Sequence, residues 1–267
     1  MIIGSWNVNS IKVRLDQVIS LLEKYSLDLL AIQETKVKTE NFPYGVFEKL
    51  GYEVYHQGGK GKNGVAIISK LKAKEVKKGF EGLEERGDFP DAKERILGIK
   101  LSFSELSELW FFSCYIPNGS PVNSDYYFYK LQFLWQLKEY LETYFSKDTP
   151  LILSGDFNVA PSEIDVYEPT LLEGSICFTE KERKVFLNLL EFGLKDALRV
   201  RYPEKRGLFT WWDYQFSAFE KNLGMRLDHI LITSSLIARL EEVWIDRQFR
   251  ALKKPSDHAP ILAKFKI

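Results

Sequence analysis

Nine apolar runs of strand length punctuate this chain, at 2–8, 28–32, 64–69, 95–103, 108–116, 150–154, 227–233, 240–245 and 259–267. Runs of that length and composition predict β-strands. Between some of them the apolar spacing becomes helical. Leu15, Val18, Ile19 and Leu22 fall at i, i+3, i+4 and i+7, and Tyr127, Leu131, Leu134, Leu137 and Leu141 mark a longer helix. A third helix opens on the capping box Thr179-x-x-Glu182 and stops at Gly193. Strands mixed with helices, without strict βαβ alternation, predict an α/β fold of two packed sheets with helices outside. No linker rich in Pro, Gly or Ser interrupts the chain, so residues 1–267 read as a single domain.

Most of these runs begin or end at a short polar cluster: WNVNS at 6–10, QETK at 33–36, YIPNG at 115–119, GDFN at 155–158, RLDH at 226–229 and SDH at 256–258. A polar side chain just past a buried strand faces the rim of a sheet, where loops can converge on one pocket. Metal-assisted phosphoester cleavage needs such a set: oxygen ligands for a hard cation, a base for water, and donors for the phosphate.

In GDFN, Asp156 and Asn158 alternate with Phe157, so on an extended backbone both project to one side. They pair an acid or base with a neutral donor or ligand. Glu34 is a hard oxygen ligand suited to magnesium, with Lys36 two positions on. Asn7 either ligates the metal or orients Glu34, and one of Asn9 and Ser10 is expected to cap the next helix. Tyr115 ends its strand, and the turn after it leaves Asn118 free to donate. Of three histidines, His258 is the candidate imidazole, with Asp228 placed to orient its ring. His229 reads as structural and His56 as a surface residue. Each cluster alone has a bland reading as a turn cap, a solvated ion pair or a packing residue. All of them together, at strand ends and of the types one reaction uses, point to catalysis.

Lys+Arg and Asp+Glu balance at 37 each, which does not describe a strongly basic nucleic-acid binder. The charged segment 72–94 reads as a solvated loop or hairpin. The glycine-rich turn 56–64 carries Lys60 and Lys62, which suit contact with a phosphate backbone. Cys114 and Cys177 lack metal-like spacing and read as buried thiols in a reducing compartment. With no secretion-type leader and no apolar stretch near the roughly 20 residues of a membrane span, a soluble cytoplasmic protein is expected.

In this order the clusters resemble the exonuclease III family of abasic-site DNA repair endonucleases, within the endonuclease/exonuclease/phosphatase superfamily. The resemblance runs from WNVNS to SDHAP, and FTWWDY with MRLD favours the DNA repair branch over relatives acting on inositol phosphates or sphingomyelin. It implies a four-layer α/β sandwich of two packed, mostly antiparallel sheets flanked by helices, the DNase I-like fold. It also implies a monomer that uses Mg2+ or Mn2+ to cleave double-stranded DNA 5′ to abasic sites. Work on blocked 3′ ends, as 3′-phosphodiesterase, 3′-phosphatase or 3′→5′ exonuclease, is part of the same implication. The alternative is a phosphomonoesterase or other phosphoester hydrolase on the same site.

By motif, the resemblance implies a metal held at Asn7 and Glu34, with Asp156, Asn158, Asp257 and His258 around it. Asp156, Asn158, His258, Asp228 and Tyr115 would be catalytic. Lys36 and Asn118 would contact DNA. Trp211, Met225 and Leu227 would form an apolar pocket for the baseless sugar, with Arg226 entering a groove and Asn222 supporting the loop.

Overall fold

The computed structural model describes residues 1–83 and 89–267. In chain order the strands are β1 (Ile2–Asn7), β2 (Leu29–Gln33), β3 (Glu53–Gln57), β4 (Val65–Ser69), β5 (Glu75–Lys78), β6 (Ile96–Leu101), β7 (Leu109–Tyr115), β8 (Leu151–Asp156), β9 (Leu194–Asp196), β10 (Trp211–Trp212), β11 (Gly224–Met225), β12 (Asp228–Thr233), β13 (Leu240–Ile245) and β14 (Ile261–Phe265). The helices are α1 (Ile11–Tyr25), α2 (Tyr44–Lys49), α3 (Asp125–Tyr144), α4 (Pro169–Leu172), α5 (Glu180–Leu190) and α6 (Ala197–Arg201).

Two six-stranded sheets form, ordered β13-β14-β1-β2-β4-β3 and β5-β6-β7-β8-β12-β9. Each contains one parallel pair, β1 with β2 and β7 with β8, joined through α1 and α3 respectively; all their other pairings are antiparallel. The inner faces meet in a core that includes Ile3, Ala31, Ile67, Ile99, Phe111, Ile152 and Ile230. One outer face is covered by α1 and α2 through Val18, Leu21, Leu22 and Phe47. The other is covered by α3 and α5 through Phe133, Leu137, Val185 and Phe186. The central strands are therefore buried on both faces, which is why they read as unbroken apolar runs. Each fully buried Leu, Ile or Phe contributes roughly 1.5–3 kcal/mol.

All nine expected strands and all three expected helices are present, and Thr179 and Glu182 close both bonds of the capping box. In the two six-stranded sheets the strands that apolar runs do not mark, β3, β5 and the short β9, lie at the edges; the other unmarked strands, β10 and β11, form a separate two-stranded ribbon. Edge strands need only one apolar face, and Glu53–Gln57 and Glu75–Lys78 are correspondingly polar. β5 occupies part of the charged segment 72–94; residues 84–88 of that segment lie outside the described residues. Neither Asn9 nor Ser10 caps α1 with its side chain. The backbone amides of Ser10 and Ile11 donate instead to the carbonyls of Glu34 and Thr35, at 2.8 and 3.0 Å. The helix start is thus bonded to the exit of β2, and Asn9 is free for other partners.

Candidate active site

The polar clusters converge because of where the two parallel pairs end. Asn7 is opposite Gln33 at the last register position of β1 and β2, and Tyr115 is opposite Asp156 at that of β7 and β8. Carboxyl ends of parallel strands open into a crevice suited to ligands. β12 runs antiparallel to β8 and starts there, setting Asp228 opposite Asp156. His258 precedes β14, and its main-chain carbonyl accepts from the Trp6 indole at 2.9 Å, fixing it to β1.

Asn7 Nδ2 bridges two carboxylates, donating to Glu34 Oε1 at 2.8 Å and to Asp156 Oδ2 at 2.9 Å. His258 Nδ1 is 2.7 Å from Asp228 Oδ2, and its Nε2 is 3.6 Å from Asp156 Oδ2. Lys36 Nζ pairs with Glu34 Oε2 at 2.8 Å. Glu34, Lys36 and Asn158 all have left-handed backbones, with φ of 51°, 54° and 51°. Such conformations are uncommon outside glycine and tend to mark tightly specified loops. At Asn158 the chain turns rather than extending: its amide N–H donates to Asp156 Oδ1 at 2.9 Å. The two side chains still meet, but through a turn and not through strand alternation.

Burial pushes the Asp156 carboxyl up, and Asp228 and Glu34 add to that, while His258 and Asn7 pull it back. Burial disfavours a charged His258 ring, but Asp228 and Asp156 outweigh it and raise the imidazole above its ordinary value. Burial, reinforced by Glu34 and Asp156, holds the Tyr115 phenol well above its usual range, so it remains an O–H donor. Asp156, Asp228 and His258 each present a ligand atom within 4.8 Å of the others. Among the described residues, Asp228 Oδ1 is buried without a hydrogen-bond partner. A crowded set dominated by carboxylate oxygen, with one orphaned acceptor, fits a hard divalent cation.

Asp257 lies outside that cluster. Its Oδ1 accepts from Asn9 Nδ2 at 3.1 Å and its Oδ2 from the Trp211 indole at 3.0 Å. The Asn158 carboxamide is likewise engaged, donating to the Ile116 carbonyl at 2.9 Å and accepting from Asn118 Nδ2 at 3.1 Å. Asn9, a candidate helix cap by sequence, belongs to the site instead. Its oxygen accepts from Lys36 Nζ at 2.5 Å, so it links Lys36 to Asp257. Its place two residues after Asn7 was the signal in the sequence.

Trp211, Met225 and Leu227 share one apolar cluster with Val166, Phe178 and Ala160. Trp211 pairs with Met225 across β10 and β11 and bridges to His258, so this wall adjoins the polar site. Asn222 accepts from the Trp212 indole at 3.2 Å, behind that wall. Arg226 does not enter a groove. It is 1% exposed and pairs with Asp165 and Asp196, each at 2.6 Å, with His229 Nδ1 at 2.8 Å. Neighbouring residues on an extended segment face opposite ways, so Met225 and Leu227 line one side while Arg226 is turned inward. His229 is structural, its Nε2 2.8 Å from the Val159 carbonyl. His56 is not on the surface but buried at 4% exposure, beside Thr35. Lys60 and Lys62 are exposed on the β3–β4 turn.

Two helix-flanked sheets, with carboxylates, an imidazole and carboxamides gathered at their common rim, define a DNase I-like phosphoester hydrolase. The chain belongs to the endonuclease/exonuclease/phosphatase family, whose profile matches residues 4–258. It is 37% identical to the exodeoxyribonuclease III of Haemophilus influenzae over 269 residues, covering 98% of each chain. It is 31% identical to the DNA repair nuclease APEX1 of Danio rerio, over 98% of this chain and 81% of that one. Among solved structures, an AP endonuclease from Archaeoglobus fulgidus superposes with a TM-score of 0.91 at 36% identity, covering all of both chains. The same figures hold for a 3′ phosphatase, NExo, from Neisseria, bound to a product DNA hairpin.

Proposed function

We propose that this enzyme is a DNA repair phosphodiesterase that cleaves duplex DNA 5′ to abasic sites and also clears blocked 3′ ends. The observation that carries this reading is the convergence of Asn7, Glu34, Asp156, Asp228 and His258 beside the Trp211–Met225–Leu227 wall. A flipped residue lacking its base is extruded at low cost, and an apolar wall beside the reacting phosphate selects it. The likeness to an AP endonuclease and to a 3′ phosphatase supports both activities.

Asp156 accepts the proton of the attacking water or returns one to the leaving oxygen; its raised pKa suits either task near neutrality. His258, charged and steadied by Asp228, donates from Nε2 to the scissile phosphate. Asn158, Asn118 and Tyr115 add donors where charge grows in the transition state. Lys36 contacts the DNA backbone, and Asn222 supports the pocket through Trp212. Glu34, with Asn7 beside it, would hold Mg2+ or Mn2+, flanked by Asp156, Asp228 and His258. Such an ion supplies charge neutralisation at a phosphoryl oxygen. One chain provides every residue of the site, which supports a monomer, and two free buried cysteines suit a reducing cytoplasm. The test is incision of a duplex containing one tetrahydrofuran abasic analogue. A single cut 5′ to the analogue, lost with EDTA and restored by magnesium, is expected; intact duplex under magnesium would overturn the reading.

A further inference from the structure

Lys130 is buried with no exposed side chain in the second turn of α3, where a lysine is unusual unless paired. Its partner, Glu182, is equally buried and bonds Nζ through Oε1. An ammonium has three N–H donors. The other two go to main-chain carbonyls, of Asn118 at 3.0 Å and of Asn158 at 2.6 Å. Those are the two residues whose carboxamides bond each other at the rim of the site. Glu182 is itself held, accepting from the amides of Cys177 and Thr179 at 3.1 and 2.9 Å. The chain also fits around the lysine stem: a Cβ on Gly119 would lie 2.8 Å from Lys130 Cδ.

We infer that Lys130, pinned by Glu182, is a positioning residue: it fixes the turns that aim the Asn118 and Asn158 carboxamides. The inference rests on the donor role given to those carboxamides above. A buried ion pair is a poor stabiliser, since apolar residues of similar volume do as well or better. Two turns from different strands, one with a left-handed residue at Asn158, do gain from a common anchor. Loss of that anchor misplaces both donors together, and an error of about 1 Å costs on the order of 10²-fold in rate.

The experiment is a kinetic cycle on the tetrahydrofuran duplex. Lys130→Met/Glu182→Gln removes both charges at once. It should keep the native circular dichroism and a KM within about threefold, and lose about 10²-fold in kcat. In an Asn118→Ala/Asn158→Ala enzyme the same change should cost less than about twofold further, because the groups it positioned are gone. Equal losses in both backgrounds would mean general damage and overturn the inference alone. An Asn118→Ala/Asn158→Ala enzyme with undiminished kcat would overturn the donor role, and the inference with it. If the paired variant does not fold, Lys130→Arg keeps the cation and moves the anchor; the same non-additivity is expected, and additive loss again overturns the inference.

Discussion

His258 and Asp228 meet at 2.7 Å between Nδ1 and Oδ2, inside a site where the ring is 4% exposed and the carboxylate not at all. The bond fixes which nitrogen faces Asp156 and keeps a proton available on that side. Replacing His258 with Ala removes a preset donor and leaves Asp228 buried without its partner. Turnover on an abasic duplex should fall by about 10²–10³. A loss smaller than about tenfold in single-turnover kinetics would take His258 out of the reacting set.

Asp156 touches Asn7, Asn158 and the His258 side of the site together. Asp156→Asn keeps the volume and removes the acid–base function. Incision should disappear, while binding of the abasic duplex, measured by fluorescence anisotropy, stays within a few-fold. Persisting incision would refute its proton-transfer role.

Glu34 is the more exposed of the carboxylates, held by Asn7 on one oxygen and Lys36 on the other. Glu34→Ala should shift the magnesium titration of activity to much higher concentration and weaken manganese binding followed by electron paramagnetic resonance. Unchanged titrations in both would place the ion elsewhere.

Asn7, Glu34, Tyr115 and Asp156 were legible in the sequence because each lies at or just past the carboxyl end of a buried strand, and such strands announce themselves as apolar runs. All four therefore needed only local reading to be set at a rim. Contacts made far along the chain left no such trace. Lys130 lies between Tyr129 and Leu131 in a helix, and nothing local marks it as buried and paired, since Glu182 lies 52 residues away. His56 belongs to a half-polar edge strand, so nothing local says that Phe42 and Thr35 enclose it. Arg226 follows the same logic, with its carboxylates at positions 165 and 196.

Arg226 is better tested by stability than by DNA affinity. Burial works against the charge of Asp165 and Asp196, yet Arg226 holds both carboxyls below their ordinary range. Arg226→Leu leaves both buried and undercompensated, which typically costs about 3–5 kcal/mol. Urea unfolding should show that loss. A phosphate contact would instead lower the salt slope of duplex binding by about one. An unchanged slope in the destabilised variant is expected; a reduced slope with unaltered stability would restore a groove contact.

His56 gives the fold a definite acid response. Its Nε2 lies 2.8 Å from Thr35 Oγ1, its ring stacks on Phe42 with centroids 4.4 Å apart, and its Nδ1 has no hydrogen-bond partner among the described residues. Burial pushes its pKa down from 6.5 to about 4. The unfolded chain takes up a proton near the ordinary value and the folded one only near 4, so between them the unfolded state binds more protons. The stability from this residue is complete above the unfolded pKa, falls as pH drops through that window, and levels off below it. The gap is worth on the order of 3 kcal/mol. Thr35 sits between Glu34 and Lys36, so charging the ring strains the exit of β2 first. Urea melts at about pH 7.5, 5.5 and 4 should show the loss in the native chain. His56→Gln, neutral throughout, should lack that share of it. Parallel pH curves for the two proteins would assign the acid sensitivity to other groups.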